Sequence, residues 1–476
     1  MYSKTPIFPG KKALIHSLTS AAFVSAASAA PLYWGQTTYS SGTIYDGTSS
    51  TASNWYTDEA GTMVSGSAPA ASDELYFNTT PANAVGGTVI VDTNLNLESI
   101  TFTTTEKTVL THGADKQTIS LGAGGITLEA GSGAVNIGQS SAQQLIVNVD
   151  ASQTWTNNSD KALTVRYIAT GSSAGGKTLT FSANGTGSIS TPFKITDNGS
   201  APISIVVDSA GTGSVNLNSA TGSSAYRGGT TIIRGKLQTT STLGNGDVTL
   251  GDTSGTYDAT LSVKSSTFAT DINVRAGSSG TKSLLNIYTA GTSSYTGNMV
   301  LDDDLFLSTS RDMSLSGDIS GAGDLIKGQG NGDLTYTGTS TSSGDLTVDT
   351  GAFTLDETGS LTFEIGANGM NNQINGLSTD GINLDGSFNF DLIGASLVDG
   401  NSWSIVSASN VTYGATFSVV GFTEDADVWS NGSGFTFSEA SGDLTYAIPE
   451  PSSAAFLLGA GILGFLSTSR RRRAAN

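Results

Sequence analysis

Apolar residues recur along this chain in pairs one position apart: Ile119/Leu121, Ile126/Leu128, Val135/Ile137, Leu163/Val165, Leu179/Phe181, Val215/Leu217, Val248/Leu250, Leu261/Val263, Ile272/Val274, Leu305/Leu307, Leu346/Val348 and Phe353/Leu355. Triplets of the same kind stand at Leu145/Val147/Val149 and Ile203/Ile205/Val207. Successive side chains of a strand point to opposite faces, so each pair marks one short strand with one buried face. Almost nothing between residues 31 and 447 carries the spacing of an amphipathic helix. Gly, Asn and Asp stand between the pairs and supply turns. Six of these turns share one form, Gly-Asp-aliphatic: Gly246-Asp247-Val248, Gly317-Asp318-Ile319, Gly323-Asp324-Leu325, Gly332-Asp333-Leu334, Gly344-Asp345-Leu346 and Gly442-Asp443-Leu444. Short strands at close spacing over about 400 residues, with few prolines and no helical crossover, predict an all-β, elongated parallel β-helix. The repeat region is expected over residues 30–365, followed by a C-terminal β-rich region over 366–446. Stacked β-sandwiches would need longer strands and clear linkers, and neither is visible.

Composition decides whether such a chain folds at all. Only 13% of residues are charged and 60 are Gly, which by itself suits disorder; 37% are hydrophobic, spread evenly, which supplies a core. Cysteine is absent, so no disulfide, thiolate metal site or Cys nucleophile is available. The formal charge is -19. Seven of the basic residues (Lys4, Lys11, Lys12 and Arg470 to Arg473) and one acid, Glu450, lie in the two ends, which leaves 14 bases against 39 acids in the body. Such a field repels phosphate backbones and anionic head groups, so nucleic acid is not an expected partner.

Both ends carry processing signals. Lys4, Lys11 and Lys12 precede a mildly apolar stretch over residues 13–24, which runs into Ser25-Ala26-Ala27-Ser28-Ala29-Ala30. This is the layout of a secretory signal peptide, residues 1–29. The expected cut follows Ala29, with Ala27 and Ala29 as the small pair, because a cut after Ala30 would leave Pro31 first in the mature chain. The secretion machinery and a signal peptidase are the implied partners. The other end, residues 447–476, reads "AIPEPSSAAFLLGAGILGFLSTSRRRRAAN". Its strictly apolar run, 454–466, has 13 residues; widening it to 452–469 gives 18, at or just below the roughly 20 that span a bilayer. Gly459, Gly461 and Gly464 weaken a helix there further. Such a segment pauses in a membrane more readily than it stays, and its arginines would remain on the cytoplasmic side with the body outside.

The triplet Pro449-Glu450-Pro451, the apolar segment 454–466 and Arg470, Arg471, Arg472 and Arg473, in that order, resemble the PEP-CTERM sorting signal. The resemblance implies that an exosortase, a membrane-embedded cysteine protease or transpeptidase, recognises these residues and processes the chain near the triplet. It further implies transient inner-membrane retention, then display in the cell envelope, on the surface or outside the cell. Residues 228–250, "GGTTIIRGKLQTTSTLGNGDVTL", resemble an autotransporter-associated β-strand repeat, and residues 316–355 resemble its longer form. That family builds elongated right-handed β-helical passengers on bacterial surfaces. The chain departs from the autotransporter plan because it lacks the strands of an outer-membrane translocator barrel.

The start of the mature body is aromatic: Tyr33, Trp34, Trp55, Tyr76 and Phe77 are expected to cover the exposed end of the solenoid, with stacking on sugar rings as the alternative. Catalytic signals are sparse. His112 is the only histidine outside the leader, and its surroundings, "THGADK", read as a turn. Asp302-Asp303-Asp304 lacks the Gly-spaced pattern of a calcium loop and reads as a solvated turn. No cofactor, metal ligand or catalytic residue is therefore assigned. The expectation is a non-catalytic structural or adhesive protein of the surface or matrix, with extracellular polysaccharide as a prospective ligand. The alternative is a polysaccharide lyase or glycoside hydrolase on the same scaffold, built from carboxylates that the fold brings together.

Overall fold

The computed structural model describes residues 30–35, 46–78, 87–113, 115–138, 145–171, 174–197, 201–218 and 224–448. The predicted leader with Ala27 and Ala29, and the tail from Pro449 onward with its apolar segment and arginines, lie outside the described residues.

The chain winds into a β-solenoid of about 13 turns, and its described residues contain no α-helix. Each turn has three sides. Val248–Leu250, Ala259–Val263 and Thr267–Phe268 form one turn; Ile272–Val274, Lys282–Asn286 and Ser293–Tyr295 form the next. Like sides stack in parallel register, Val248 on Ile272, Leu261 on Leu284 and Phe268 on Tyr295. On the first side Val248, Ile272, Met299 and Ile319 lie in one column, so successive turns take 24, 27 and then 20 residues. Because the variation falls in the corners, the strands remain aligned while the loops differ.

The paired apolar residues are the inner face of this stack. Every member of the pairs and triplets named above is buried except Leu346, which is partly buried. Long strands bend from one side onto the next: Thr230–Thr239 contributes Thr230 to the first side and Leu237 to the second, turning at Gly235 with φ +87.

Close contact between turns explains the Gly-Asp corners. A Cβ on Gly323 would lie 2.1 Å from the Asp303 carbonyl oxygen, and one on Gly317 2.0 Å from that of Gly297, so only glycine fits. The aspartate that follows then links turns: Asp304 Oδ1 accepts the Asp324 N–H (3.0 Å), Asp324 Oδ1 accepts the Asp345 N–H (2.8 Å), and Asp345 Oδ1 accepts that of Gln373 (2.9 Å). The same staircase runs before the first side, from Asp271 through Asn298 to Asp318, and before the third, from Asp312 to Asp333. Gly442-Asp443 differs, since it opens a strand of the antiparallel sheet at the C-terminal end.

Both ends are closed. Trp34 and Trp55 meet edge to face at 5.0 Å, Phe77 stacks on Phe102 at 5.0 Å, and Trp55 Nε1 donates to the Ser49 carbonyl. Trp34, Trp55 and Phe77 are buried, whereas Tyr33 and Tyr76 stack on each other, half-buried, on the outer side. At the other end the parallel ladder crosses residue 365 without a break and runs to Ser418–Val419. A five-stranded antiparallel sheet, in the order Ser402–Ser404, Asp443–Tyr446, Phe435–Ser438, Val428–Ser430, Thr423–Asp425, then packs Phe437 against Phe388, Phe390 and Phe417.

Candidate functional site

The strand that delivers the tail, Asp443–Tyr446, lies inside the antiparallel sheet, between Ser402–Ser404 and Phe435–Ser438. Its inward residues are buried: Leu444 is wholly covered and Tyr446 packs its ring 4.9 Å from Phe435. Hydrogen bonds hold the chain up to its last described residue. The Tyr446 N–H donates to the Asn401 carbonyl (2.9 Å), Ala447 N–H to the Gly434 carbonyl (2.9 Å), and Ile448 N–H to Asp399 Oδ1 (3.0 Å). Pro449-Glu450-Pro451 therefore begins one residue beyond a fixed point on the end of the solenoid.

A second property of this end belongs to the sequence and is sharpened by the fold. No lysine or arginine stands between Lys327 and Arg470. The four ion pairs among the described residues, Lys161–Asp160, Arg227–Asp197, Arg234–Asp208 and Lys282–Asp303, all precede Asp304. The turns nearest the tail are thus acidic and unbalanced, and Arg470 to Arg473 stand on the far side of the apolar segment.

The catalytic candidates are scattered. His112 is the last residue of the strand Thr108–His112, so it precedes the turn in which the sequence placed it; its Nδ1 lies 2.7 Å from the Gly113 carbonyl. Among the described residues no group of three or more His, Asp and Glu is arranged to hold a metal ion. The acidic triplet is a corner with divided tasks. Asp303 pairs with the buried Lys282 amine at 2.7 Å, and Asp304 serves the corner staircase. Lys282 also donates to the Ser278 carbonyl. Beside it is a shallow hollow of about 310 Å³, walled by Ser278, Lys282, Asp303, Asp304, Phe306 and Ile326. Phe306 leans over Gly328, where a Cβ would approach its ring to 2.3 Å. Carboxylates, a buried amine and an aromatic ring meet here, as Asp208, Arg234 and Tyr257 do elsewhere, and nothing in the sequence pattern had singled out either place.

Lys327 is more unexpected. It occupies an inward position in column with Leu307 and Val348, is wholly buried, and donates its ammonium to the Thr350 carbonyl. Burial holds its pKa below the ordinary lysine value, opposed by the charges of Asp333 and Asp380. Sealed in the core, it faces no substrate.

With the exit strand and its surroundings defined, the comparison with known proteins can be placed. Residues 447–473 match the family model of the PEP-CTERM protein-sorting motif. No curated protein and no solved structure matches the chain. The motif and the scaffold together define an exported β-solenoid that an exosortase sorts toward the cell envelope or surface.

Proposed function

We propose that the protein is a non-catalytic structural or adhesive component of a bacterial cell surface or extracellular matrix. In this reading the secretion machinery exports the chain and a signal peptidase removes residues 1–29. Residues 454–466 then pause in the inner membrane until an exosortase, reading Pro449, Glu450, Pro451 and Arg470 to Arg473, processes it near the triplet. The observation that carries the reading is the sorting motif set directly after the last hydrogen-bonded strand of a rigid, elongated body. The charge distribution supports the orientation: no basic residue flanks the body side of the apolar segment for over a hundred residues, and four arginines flank the other. The likeness of residues 228–250 and 316–355 to autotransporter-associated repeats agrees with display of a right-handed solenoid on a surface.

Intact mass of the protein secreted by its own host tests the proposal. Loss of the leader and of everything beyond the triplet region is expected, and a mature mass that retains Arg470 to Arg473 refutes processing. A second reading, a polysaccharide lyase or hydrolase, is favoured by one feature, the hollow beside Lys282, Asp303 and Asp304. Against it, the Lys282 amine is already committed to Asp303 and to the Ser278 carbonyl. Release of reducing or unsaturated sugar ends from a panel of neutral and acidic polysaccharides would favour the enzyme, and its absence alongside measurable polysaccharide binding favours adhesion.

A further inference from the structure

Exposed apolar side chains are distributed unevenly over the described residues. Twelve large ones are exposed, and five of them, Met370, Ile393, Leu397, Val398 and Ile448, gather at the point where the tail leaves. Hydrogen bonds tie their segments into one face. The Ser396 N–H donates to the Gly366 carbonyl, Gly400 N–H to the Tyr446 carbonyl and Ile448 N–H to Asp399. Met370 and Ile393 wall one hollow of about 450 Å³. Ile393 is 95% exposed and Leu397 61%, in loops held by the hydrogen bonds of Ala395 to Leu392 and Asn401 to Val398, so none of the described residues covers them. Single exposed apolar residues are ordinary; five in one patch mark a contact surface.

The position of the patch says what that surface meets. The apolar segment 454–466 starts six residues after Ile448, a reach of at most about 20 Å even for extended chain. While that segment sits in a bilayer, the end of the solenoid cannot leave the membrane surface. A second copy of the chain is a poor occupant, because both faces would bring Glu364, Asp391 and Asp399 together with no basic residue beyond Lys327 to answer them. We infer that Met370, Ile393, Leu397, Val398 and Ile448 form a membrane-contact surface, which seats the C-terminal end of the solenoid on the outer leaflet before the tail is processed. The inference rests on the proposed pause of residues 454–466 in the membrane. Its chemistry is apolar insertion at the interface, with carboxylates around it that disfavour anionic head groups. Once processing frees the body, the same patch is left without its support and the protein detaches.

The absence of cysteine makes the test clean. Leu397→Cys, Ser67→Cys at the opposite end and Gly461→Cys in the tail are each labelled with an environment-sensitive fluorophore. The full unprocessed chain is then reconstituted in phosphatidylcholine vesicles. Position 397 is expected to shift to the blue and to be quenched by brominated acyl chains, as position 461 is, while position 67 reports water. Replacing a third of the lipid by phosphatidylglycerol is expected to reduce the shift at 397 and leave that at 461. A label at 461 in lipid with one at 397 in water overturns the inference and spares the membrane pause. Labels at both positions in water overturn both. A shift at 397 that needs exosortase in the vesicles, or that grows with protein concentration without lipid, assigns the patch to the enzyme or to a second copy and likewise overturns it.

Discussion

The two ends of the solenoid solve the same problem in opposite ways. At the N-terminal end Trp34, Trp55 and Phe77 turn inward, with Tyr33 and Tyr76 half-buried outside. At the C-terminal end an antiparallel sheet covers the last turn by packing Trp429 and Phe437 on Phe417, yet five large apolar side chains remain exposed beside the exit of the tail. Charge follows the same division. Four ion pairs relieve the acids of the turns up to Asp303, and beyond Lys327 the turns carry acids alone. A stacked solenoid needs covered ends to resist fraying and self-association. The N-terminal end exposes two large apolar side chains among its described residues, Met63 and Val64, against five beside the tail, so the greater exposure at the C-terminal end is best understood through the tail that leaves there.

Alkaline pH should separate the two parts most strongly. Burial raises the phenol pKa of Tyr226, Tyr295, Tyr336 and Tyr413 above the ordinary value of 10, and all four lie from residue 226 onward; Tyr33 and Tyr76 at the N-terminal end are raised too, but they are only half-buried. The folded state keeps protons that the unfolded state releases above pH 10, so this stability is intact below pH 10 and is lost as pH rises toward the folded values. At pH 11 each retained proton costs about 1.4 kcal/mol, or roughly 6 kcal/mol for the four. Limited proteolysis by an alkaline-active protease should therefore open the region beyond Tyr226 first. Cleavage confined to the N-terminal turns would contradict this.

Trp55→Ala should come next. Trp55 is wholly buried, and its removal leaves a cavity against Trp34 and Phe77 and an unpaired Ser49 carbonyl, at a cost of about 3–5 kcal/mol. Hydrogen exchange should rise in residues 30–113 and remain unchanged near Tyr446, because a solenoid transmits stability mainly between neighbours. Ile393→Ser at the other end should change the denaturation midpoint by no more than about 0.5 kcal/mol. A large loss with Ile393→Ser would show that its side chain is covered, and would remove the contrast between the ends.

Glycines sharpen the comparison between the coil and its C-terminal loops. In Gly323→Ala the new Cβ meets backbone at 2.1 Å, which forces two turns apart and should cost about 2–3 kcal/mol. Gly369→Ala, in the exit region, has a φ of +72 and open space around it, so only backbone strain of about 1 kcal/mol is expected. Thermal midpoints of the two variants rank these effects directly, and equal losses would mean that the corner yields more than its geometry suggests.

Much of this architecture was legible in the residues, for identifiable reasons. Period-two pairs report burial because strand geometry alternates, and nearly all of those named are buried. The Gly-Asp turns were visible as turns, but their role in joining one turn to the next was not, since the partner N–H lies 20 or more residues away. Three-sidedness was equally hidden, because corner lengths vary and no fixed period survives. Lys327 is of a residue type that is almost never fully buried, yet it is core, as its long stem carries the ammonium from an aliphatic column to the Thr350 carbonyl. The exit patch escaped notice because Leu397 and Val398 are neighbours in a loop, outside any alternating pattern. Linear sorting signals are read by another protein as sequence, so the tail was the clearest feature of all and matches its family model.

Substituting one acid in each part tests the charge division. Asp324 stands between Asp304 and Asp345 in the corner staircase, and burial together with those two charges raises its carboxyl above the usual range. Asn298 occupies the corresponding place on the first side and still accepts the Asp318 N–H through Oδ1. Asp324→Asn should thus keep the hydrogen bond to Asp345, remove a repulsion and stabilise the protein by up to about 1 kcal/mol at neutral pH, less at high salt. The sign follows from the raised pKa. The wild-type penalty is absent at pH values below the unfolded aspartate value and grows as pH rises through the folded one, so the variant should match wild type in acid and exceed it at neutrality. Asp208→Asn, in the balanced part, breaks the pair with Arg234, whose guanidinium also sits 4.9 Å from the Tyr257 ring, and should destabilise by about 1 kcal/mol. Urea midpoints measured at low and high salt decide between them. If both substitutions shift stability in the same direction, the division between a balanced and an unbalanced part has no energetic content.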